Sequence, residues 1–256
     1  MKNCSKIIHN FIDAGGKIWY TTHTNERGGV YLGFLYETHM HTSEVSGCAS
    51  SPAAHQIVAY KNKGYTGVII TDHFINGYNN CPRNLSWDTK MRYFVLGYKE
   101  AKKAGKKYGV DVFLGWEFTV KGADFLTYGL DLEFLFDNPH CDKLGIEAYS
   151  KLVRRSGGYL AQAHPYRDEY YIEHNYPVAP HLIDGIEVYN AMDKSLSNAK
   201  ALAYAKNHNI PMQAGTDSHS IRNTHYSGIL LEKKADCIQD IIRAIMTRKA
   251  TIVQEV

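Results

Sequence analysis

The sequence carries little net charge and no long apolar run. Its 29 basic and 26 acidic side chains leave only +3, which offers no electrostatic track for a polyanion such as nucleic acid. Nothing approaches the run of about 18 apolar residues that marks a membrane span. Residues 1–20 lack a continuous apolar stretch and a small-residue cleavage site, so no secretory leader is expected. The five cysteines (Cys4, Cys48, Cys81, Cys141, Cys237) are odd in number, widely spaced and never in a C-x-x-C. That argues against a zinc ribbon or a thioredoxin-like motif and predicts free thiols in a reducing cytoplasm. Neither G-x-G-x-x-G nor G-x-x-x-x-G-K-[ST] occurs, so nothing supports a dinucleotide or nucleotide-triphosphate loop. No repeat, low-complexity tract or linker divides the chain.

What is present is a core-forming composition. Of 256 residues, 44% are hydrophobic and 12% aromatic, enough to fold without disulfides and too many for intrinsic disorder. One domain over 1–256 is expected, with 1–30 as an N-terminal extension packed on it. The basic stretch Lys99–Lys107 reads as a solvated helix face.

Short apolar runs alternate with helical patterns. Strands are expected at Tyr31–Tyr36, Gly67–Thr71, Val110–Gly115, Phe125–Leu130, Tyr159–Ala163, Gly185–Tyr189, Ile210–Gly215 and Thr251–Val253. A helix with Ser51 as N-cap and Pro52 in its first turn runs to about Lys63 and stops at Gly64. Further helices are expected over Met91–Tyr108, Gly145–Arg155, about Ser195–His208 and Ala235–Lys249. This alternation predicts parallel strands with helical crossovers, as a barrel or an open sheet.

Histidine is over-represented, with 13 residues, about double the share of an ordinary domain. The placement matters more than the number. His39-Met40-His41, Asp72-His73, Glu117, His164 and Asp217-x-His219 each follow one of five strands. In parallel α/β folds the carboxyl ends of strands share one face, where ligands bind. In H-x-H on extended backbone, both side chains point the same way. Any one of these histidines alone reads as an ordinary core or loop residue. Their coincidence at five strand ends predicts a metal site of imidazole and carboxylate, suited to Zn, Mn or Fe.

These segments match a known pattern: Glu37–Thr42 (ETHMHT), Ile70–His73 (ITDH), Gly115–Glu117 (GWE), Ala163–Pro165 (AHP), Gly185–Asn190 (GIEVYN) and Gly215–His219 (GTDSH). On them, over about residues 34–253, the chain resembles the PHP (polymerase and histidinol phosphatase) family of metal-dependent phosphoesterases. The resemblance implies a distorted (β/α)7 barrel with two or three divalent transition-metal ions at the carboxyl ends of its strands. By position, His39, His41, Glu117 and Asp217 match the ligands of one ion. Glu117 would bridge to a second, which His164 also binds, and His73 and His219 would hold a third. Two departures stand out. Asp124 occupies a position that is often His in the family. The further third-ion ligand is expected to be Glu44, with Cys48 the alternative. Glu37 and Asp72 are expected beside the ligands, orienting them.

The expected reaction is hydrolysis of a small phosphate monoester or diester, by attack of metal-activated hydroxide on phosphorus. Asp72 and His219 are the candidate proton carriers. Arg167 is a candidate phosphate clamp, with Arg222 a second, and Asn190 a candidate substrate contact. Tyr170, Tyr171 and His174 fall in an aromatic segment that could cover the mouth, and His181 and His225 are lesser site candidates. A metal-dependent amidohydrolase and a non-catalytic metal-binding module are the alternatives. No lysine follows a strand where a carbamylated bridge would sit, which leans against the former.

Overall fold

Short runs of β-branched and aromatic residues, buried on both faces, form the strands of a mixed sheet. A computed structural model describes residues 21–24, 30–169, 172, 175–223 and 225–254. The first half contains β1 (Thr21–Thr24), β2 (Val30–Met40), α1 (Ala53–Asn62), β3 (Gly67–Ile70), α2 (Trp87–Phe94), α3 (Leu96–Tyr108), β4 (Asp111–Val120) and β5 (Ala123–Tyr128). The second contains α4 (Leu132–Asp137), α5 (Ile146–Arg155), β6 (Tyr159–Gln162), β7 (Gly185–Asn190), α6 (Ser195–Asn207), β8 (Met212–Gly215), β9 (Gly228–Leu231), α7 (Ile238–Met246) and β10 (Thr251–Val253). Tyr170, Tyr171, His174 and nearly all of the expected 1–30 extension lie outside the described residues. No helix among those described is long and apolar enough to cross a membrane.

The strand order is β10-β9-β2-β3-β4-β5-β6-β7-β8, with β1 beside β2. The two flanks of the β2-to-β8 run then meet. Met40 bridges Ser218, the His41 N–H donates to the Ser218 carbonyl at 2.9 Å, and Thr38 Oγ1 donates to the Ala214 carbonyl at 2.8 Å. The sheet thereby curls into a nearly closed barrel, which excludes the open sheet and bears out the expected α/β barrel.

Not every strand is parallel. β2, β3 and β4 pair in parallel, as do β6, β7 and β8. Between them β5 runs antiparallel to both neighbours. The cause is local: Lys121 and Gly122, with φ of 50° and 79°, form a two-residue turn. Such a turn can only make a hairpin. Its consequence is functional, because the start of β5, with Asp124, lies on the same face as the ends of the parallel strands.

Two helix readings need correction. The single helix expected over Met91–Tyr108 is two, α2 and α3, parted at Val95. Ser51 does not cap α1, for its Oγ accepts from the Ile221 N–H at 3.0 Å. Pro52 stands at the cap, and both Glu44 carboxylate oxygens accept from the Ala53 N–H at 3.0 Å. Gly109, at φ 71°, ends α3 in the left-handed conformation that glycine adopts without strain.

Burial explains why the scaffold is stiff. One cluster joins Tyr36, Ile69, Leu126, Tyr159 and Ile229 of five strands to Ile241 and Ile245 of α7. A second packs Trp116 and Phe118 of β4 against Phe74, Phe94 and Tyr149, with Phe118 stacked on Tyr149 at 3.5 Å. The Trp116 indole donates to Tyr149 Oη at 2.6 Å, so burial leaves no stranded donor.

Candidate metal centre

β2 extends to Met40 and presents His39 and His41 on one side, as the period of two requires. β3 continues as the bridge His73–Glu117, which sets the Asp72-His73 pair against β4. His164 follows β6, and Asp217 and His219 follow β8. His164 and Asp217 hold positive φ, 27° and 55°. Such conformations cost about 1–3 kcal/mol each and persist where surrounding structure enforces them.

The donor atoms converge. His39 Nε2 lies 3.1 Å from His41 Nε2, 3.2 Å from Glu117 Oε1 and 3.4 Å from Asp217 Oδ1. His41 Nε2 lies 3.4 Å from Glu117 Oε2 and 3.2 Å from Asp217 Oδ1. Glu117 also meets His164 Nε2 at 3.1 Å, and Asp124 Oδ2 stands 3.9 Å from that nitrogen. Among the described residues, overlapping groups able to hold an ion are His39/His41/Glu117, His39/His164/Asp217, Glu117/Asp124/His164 and His41/His73/His219.

Hydrogen bonds fix which ring nitrogen faces inward. Glu187 Oε1 stands 3.0 Å from His39 Nδ1, and the Asp217 carbonyl 2.7 Å from His219 Nδ1. Neither oxygen carries a hydrogen, so each nitrogen must donate. Ser46 Oγ donates to Asp72 Oδ1 at 2.7 Å and therefore accepts from His41 Nδ1 at 3.1 Å. Each ring thus keeps its Nε2 lone pair free. Two such nitrogens 3.1 Å apart repel unless a cation or a proton lies between them. Glu117 Oε2 and His73 Nδ1 face each other at 2.8 Å, both buried and without hydrogen-bond partners. These residues fit divalent transition-metal ions.

The electrostatics agree. Burial opposes charge on His39, yet Asp217, Glu187 and Glu117 outweigh it and raise its pKa well above the usual value. Burial, then His219 and His73, drives His41 well below. Burial would raise Glu117 and Asp217, but His73 and His39 hold Glu117 far down, and His39 and Arg167 do the same for Asp217. Burial pushes Asp72 up to about 6 against its hydrogen bonds.

Several candidates sit differently from the sequence reading. Asp72 is filled by the Thr42 N–H at 2.6 Å, Thr42 Oγ1 at 2.7 Å and Ser46. It therefore orients His41 through Ser46 instead of facing the cluster as a proton carrier. Glu44 is turned to the start of α1 and joins no donor group. Cys48, in the loop after β2, joins no donor group either, though the His219 and His73 rings act on its thiol. Burial raises that thiol, but the influence of those two rings overrides it and brings the pKa to about 7. Arg167 reaches the site yet is engaged, with Nε on Asp193 Oδ1 at 2.6 Å and an Nη on Asp217 Oδ2 at 2.7 Å and Asn190 Oδ1 at 2.9 Å. Asn190 in turn donates to Glu187 Oε2 at 2.9 Å. Arg222 and His181 are exposed, and His225 joins no donor group.

Glu187 was not singled out from the sequence. Its carboxylate holds His39 Nδ1, the His164 N–H at 3.0 Å and Asn190. The available signal was a lone acid within the apolar run GIEVY: a carboxylate buried on both faces of a sheet needs partners. Gly215 makes room for it, since a Cβ there would lie 2.6 Å from His39 Cβ and 3.0 Å from Glu187 Oε1.

A family profile described as PHP-associated matches residues 195–249. No curated protein matches the chain. Among solved structures, one similar fold is a two-domain protein containing a predicted PHP-like metal-dependent phosphoesterase from Bacteroides vulgatus ATCC 8482. It aligns with 100% of this chain and 70% of its own, at 16% identity and a TM-score of 0.68. A lesion-specific endonuclease from Pyrococcus furiosus aligns over 86% of this chain and 58% of its own, at 17% identity and 0.56. An amidohydrolase from Chromobacterium violaceum, with bound sulfate and no metal, aligns over 86% and 97%, at 14% identity and 0.52. At such identities the likeness is one of fold. The matched segment and the barrel agree with the resemblance read from the sequence: in architecture this chain is similar to PHP-like proteins.

Proposed function

We propose that this protein is a metal-dependent phosphoesterase acting on a small phosphate monoester or diester, in a reducing, cytoplasmic setting. The observation that carries the reading is the sharing of Glu117 between adjacent donor groups, which supports two or three neighbouring ions. Bound Zn, Mn or Fe would supply acidified water and neutralise charge developing on phosphorus.

The chain's own residues have separate parts. His39, His41, Glu117 and Asp217 would hold one ion, Glu117, Asp124 and His164 a second, and His73 with His219 a third. Glu187, Ser46 and the Asp217 carbonyl keep three imidazoles in the ligating tautomer. His219, 24% exposed at its side chain, is the candidate to pass a proton to the leaving oxygen. Arg167, 15% exposed, can meet a phosphoryl oxygen only through N–H groups not spent on Asp193, Asn190 and Asp217. The net charge of +3 favours a small substrate over nucleic acid.

Likeness to the C. violaceum amidohydrolase fold keeps C–N hydrolysis as the second reading. The shared position is filled by Glu117 and not by lysine, which favours the phosphoester. The test is turnover of p-nitrophenyl phosphate, bis-p-nitrophenyl phosphate and a cyclic-amide panel by Mn-, Zn- and Fe-loaded protein, beside His39→Ala. Phosphoester cleavage lost in the variant supports the proposal. Turnover of amides alone, or phosphoester rates equal to the variant's, refutes it.

A further inference from the structure

Two arms of the metal centre meet at the seam of the barrel. β2 pairs with β3 and β9, and β8 with β7, but among the described residues no ladder joins β2 to β8. Yet β2 carries His39 and His41 at its end, and β8 leads directly into Asp217 and His219. These donors therefore hang on the least-paired junction of the sheet. Backbone contact there is short. Beside the Met40–Ser218 bridge, the His41 N–H donates to the Ser218 carbonyl at 2.9 Å and the Ser218 N–H to the His39 carbonyl at 3.3 Å.

Side chains complete the closure. Glu37 Oε1 accepts from the Thr216 N–H at 2.9 Å and the His39 N–H at 2.7 Å, so one oxygen ties both arms. α1 sets Gln56 and Tyr60 one turn apart on the same face, both fully buried. Tyr60 Oη and Thr216 Oγ1 share a hydrogen bond. Gln56 Nε2 donates to the His41 carbonyl, and Gln56 Oε1 accepts from Ser218 Oγ at 2.9 Å. The orientation is forced, because a carbonyl has no hydrogen and the NH2 end of the amide must face it. One side chain thus grips the backbone of one arm and the residue between the two donors of the other.

We propose that Gln56 is a positioning residue for the metal centre: its amide clasps the seam and fixes the spacing between His39-x-His41 and Asp217-x-His219. The proposal deepens the metal-centre reading and rests on it. Donors on separate arms bind one ion tightly only when the arms are already held at ligand distance. Otherwise part of the binding free energy goes into closing them, and the apparent affinity falls with the closed fraction. The groups His39/His164/Asp217 and His41/His73/His219 each draw on both sides of the seam, whereas Glu117/Asp124/His164 draws on neither. Loss of the clasp should therefore weaken the seam-spanning positions and spare the other.

The test needs no substrate. Metal-free protein is titrated with Zn²⁺ in competition with a chromophoric chelator, which resolves successive binding steps. Gln56→Met keeps the length of the side chain and removes both hydrogen bonds. It should weaken at least one step by about tenfold or more and leave another as in the wild type. Gln213→Met is the control. Gln213 is equally buried, but its amide is held by Tyr128 Oη of β5 and Tyr159 Oη of β6, both at 2.8 Å. Its loss should lower stability without that selective change. Hydrogen exchange, read by peptide mass, should quicken over residues 38–42 and 214–219 in metal-free Gln56→Met and slow again with Zn²⁺. If Gln56→Met does not fold, Ser218→Ala, which deletes only the donor to Oε1, should show the same selective weakening. Wild-type affinity at every step in the folded variant, equal weakening of all steps, or the same selective change in Gln213→Met overturns the clasp and leaves the metal centre standing. A wild type that binds no Zn²⁺ overturns both.

Discussion

Glu187→Gln is the sharpest probe of how the centre is held. The substitution keeps size and shape and removes one acceptor. If the amide oxygen stays on His39 Nδ1, the NH2 group faces two donors, the His164 N–H and the Asn190 amide, at 3.0 and 2.9 Å. If the amide flips, its NH2 faces His39 Nδ1. The imidazole must then move its hydrogen to Nε2, the atom that points at Glu117, Asp217 and His41. Either arrangement spends free energy against the ligating geometry. Substituting the partner of a metal-binding histidine typically weakens affinity by about 10- to 100-fold, about 1.4–2.8 kcal/mol. Competition against a chromophoric chelator measures this directly. Thermal unfolding of the metal-free variant shows whether the fold survived. Unchanged metal affinity in a folded variant would refute the claim that Glu187 sets the His39 tautomer.

Burial raises the Glu37 carboxyl from 4.5 to about 7, against hydrogen bonds from Thr216 and His39. A raised folded-state pKa stabilises fully below 4.5, and that contribution is lost as pH rises through about 7. Metal-free wild type should therefore lose ground to Glu37→Gln across this window, by up to about 3 kcal/mol. Urea unfolding at stepped pH checks it, and parallel curves would contradict it. Arg167→Ala strips the counter-charge from buried Asp217 and Asp193, which should cost about 3–5 kcal/mol in metal-free protein. The loss should shrink when Zn²⁺ is bound, since the cation then balances Asp217; equal losses in both states would refute that role. Gly215→Ala forces a Cβ to within 2.6 Å of His39 Cβ. It should destabilise the fold by about 1–3 kcal/mol and lower metal occupancy, measured by unfolding and elemental analysis.

The strand ends were legible in the sequence because chemistry and periodicity coincide there. His39-x-His41 points one way on extended backbone, and short apolar runs such as GVII mark the strands that precede the donors. What escaped was short or set by turns. β9 and α4 span only four and six residues, too few for a period to stand out. The hairpin into β5 hinged on Lys121 and Gly122, a turn signal weaker than Asn-Gly. The choice between Glu44 and Cys48 depended on loop geometry, which no periodicity encodes: Glu44 is turned to the Ala53 N–H at the start of α1. Glu187 and Ser46 touch the ligands and not the ions, and only their hydrogen bonds identify them.

The most direct measurement is an anomalous-difference map from crystals of metal-loaded protein, collected on either side of the metal's absorption edge. The account predicts adjacent peaks among His39, His41, Glu117 and Asp217, and between Glu117, Asp124 and His164. A fully soaked crystal with no peak within ligand distance of Glu117 would contradict it.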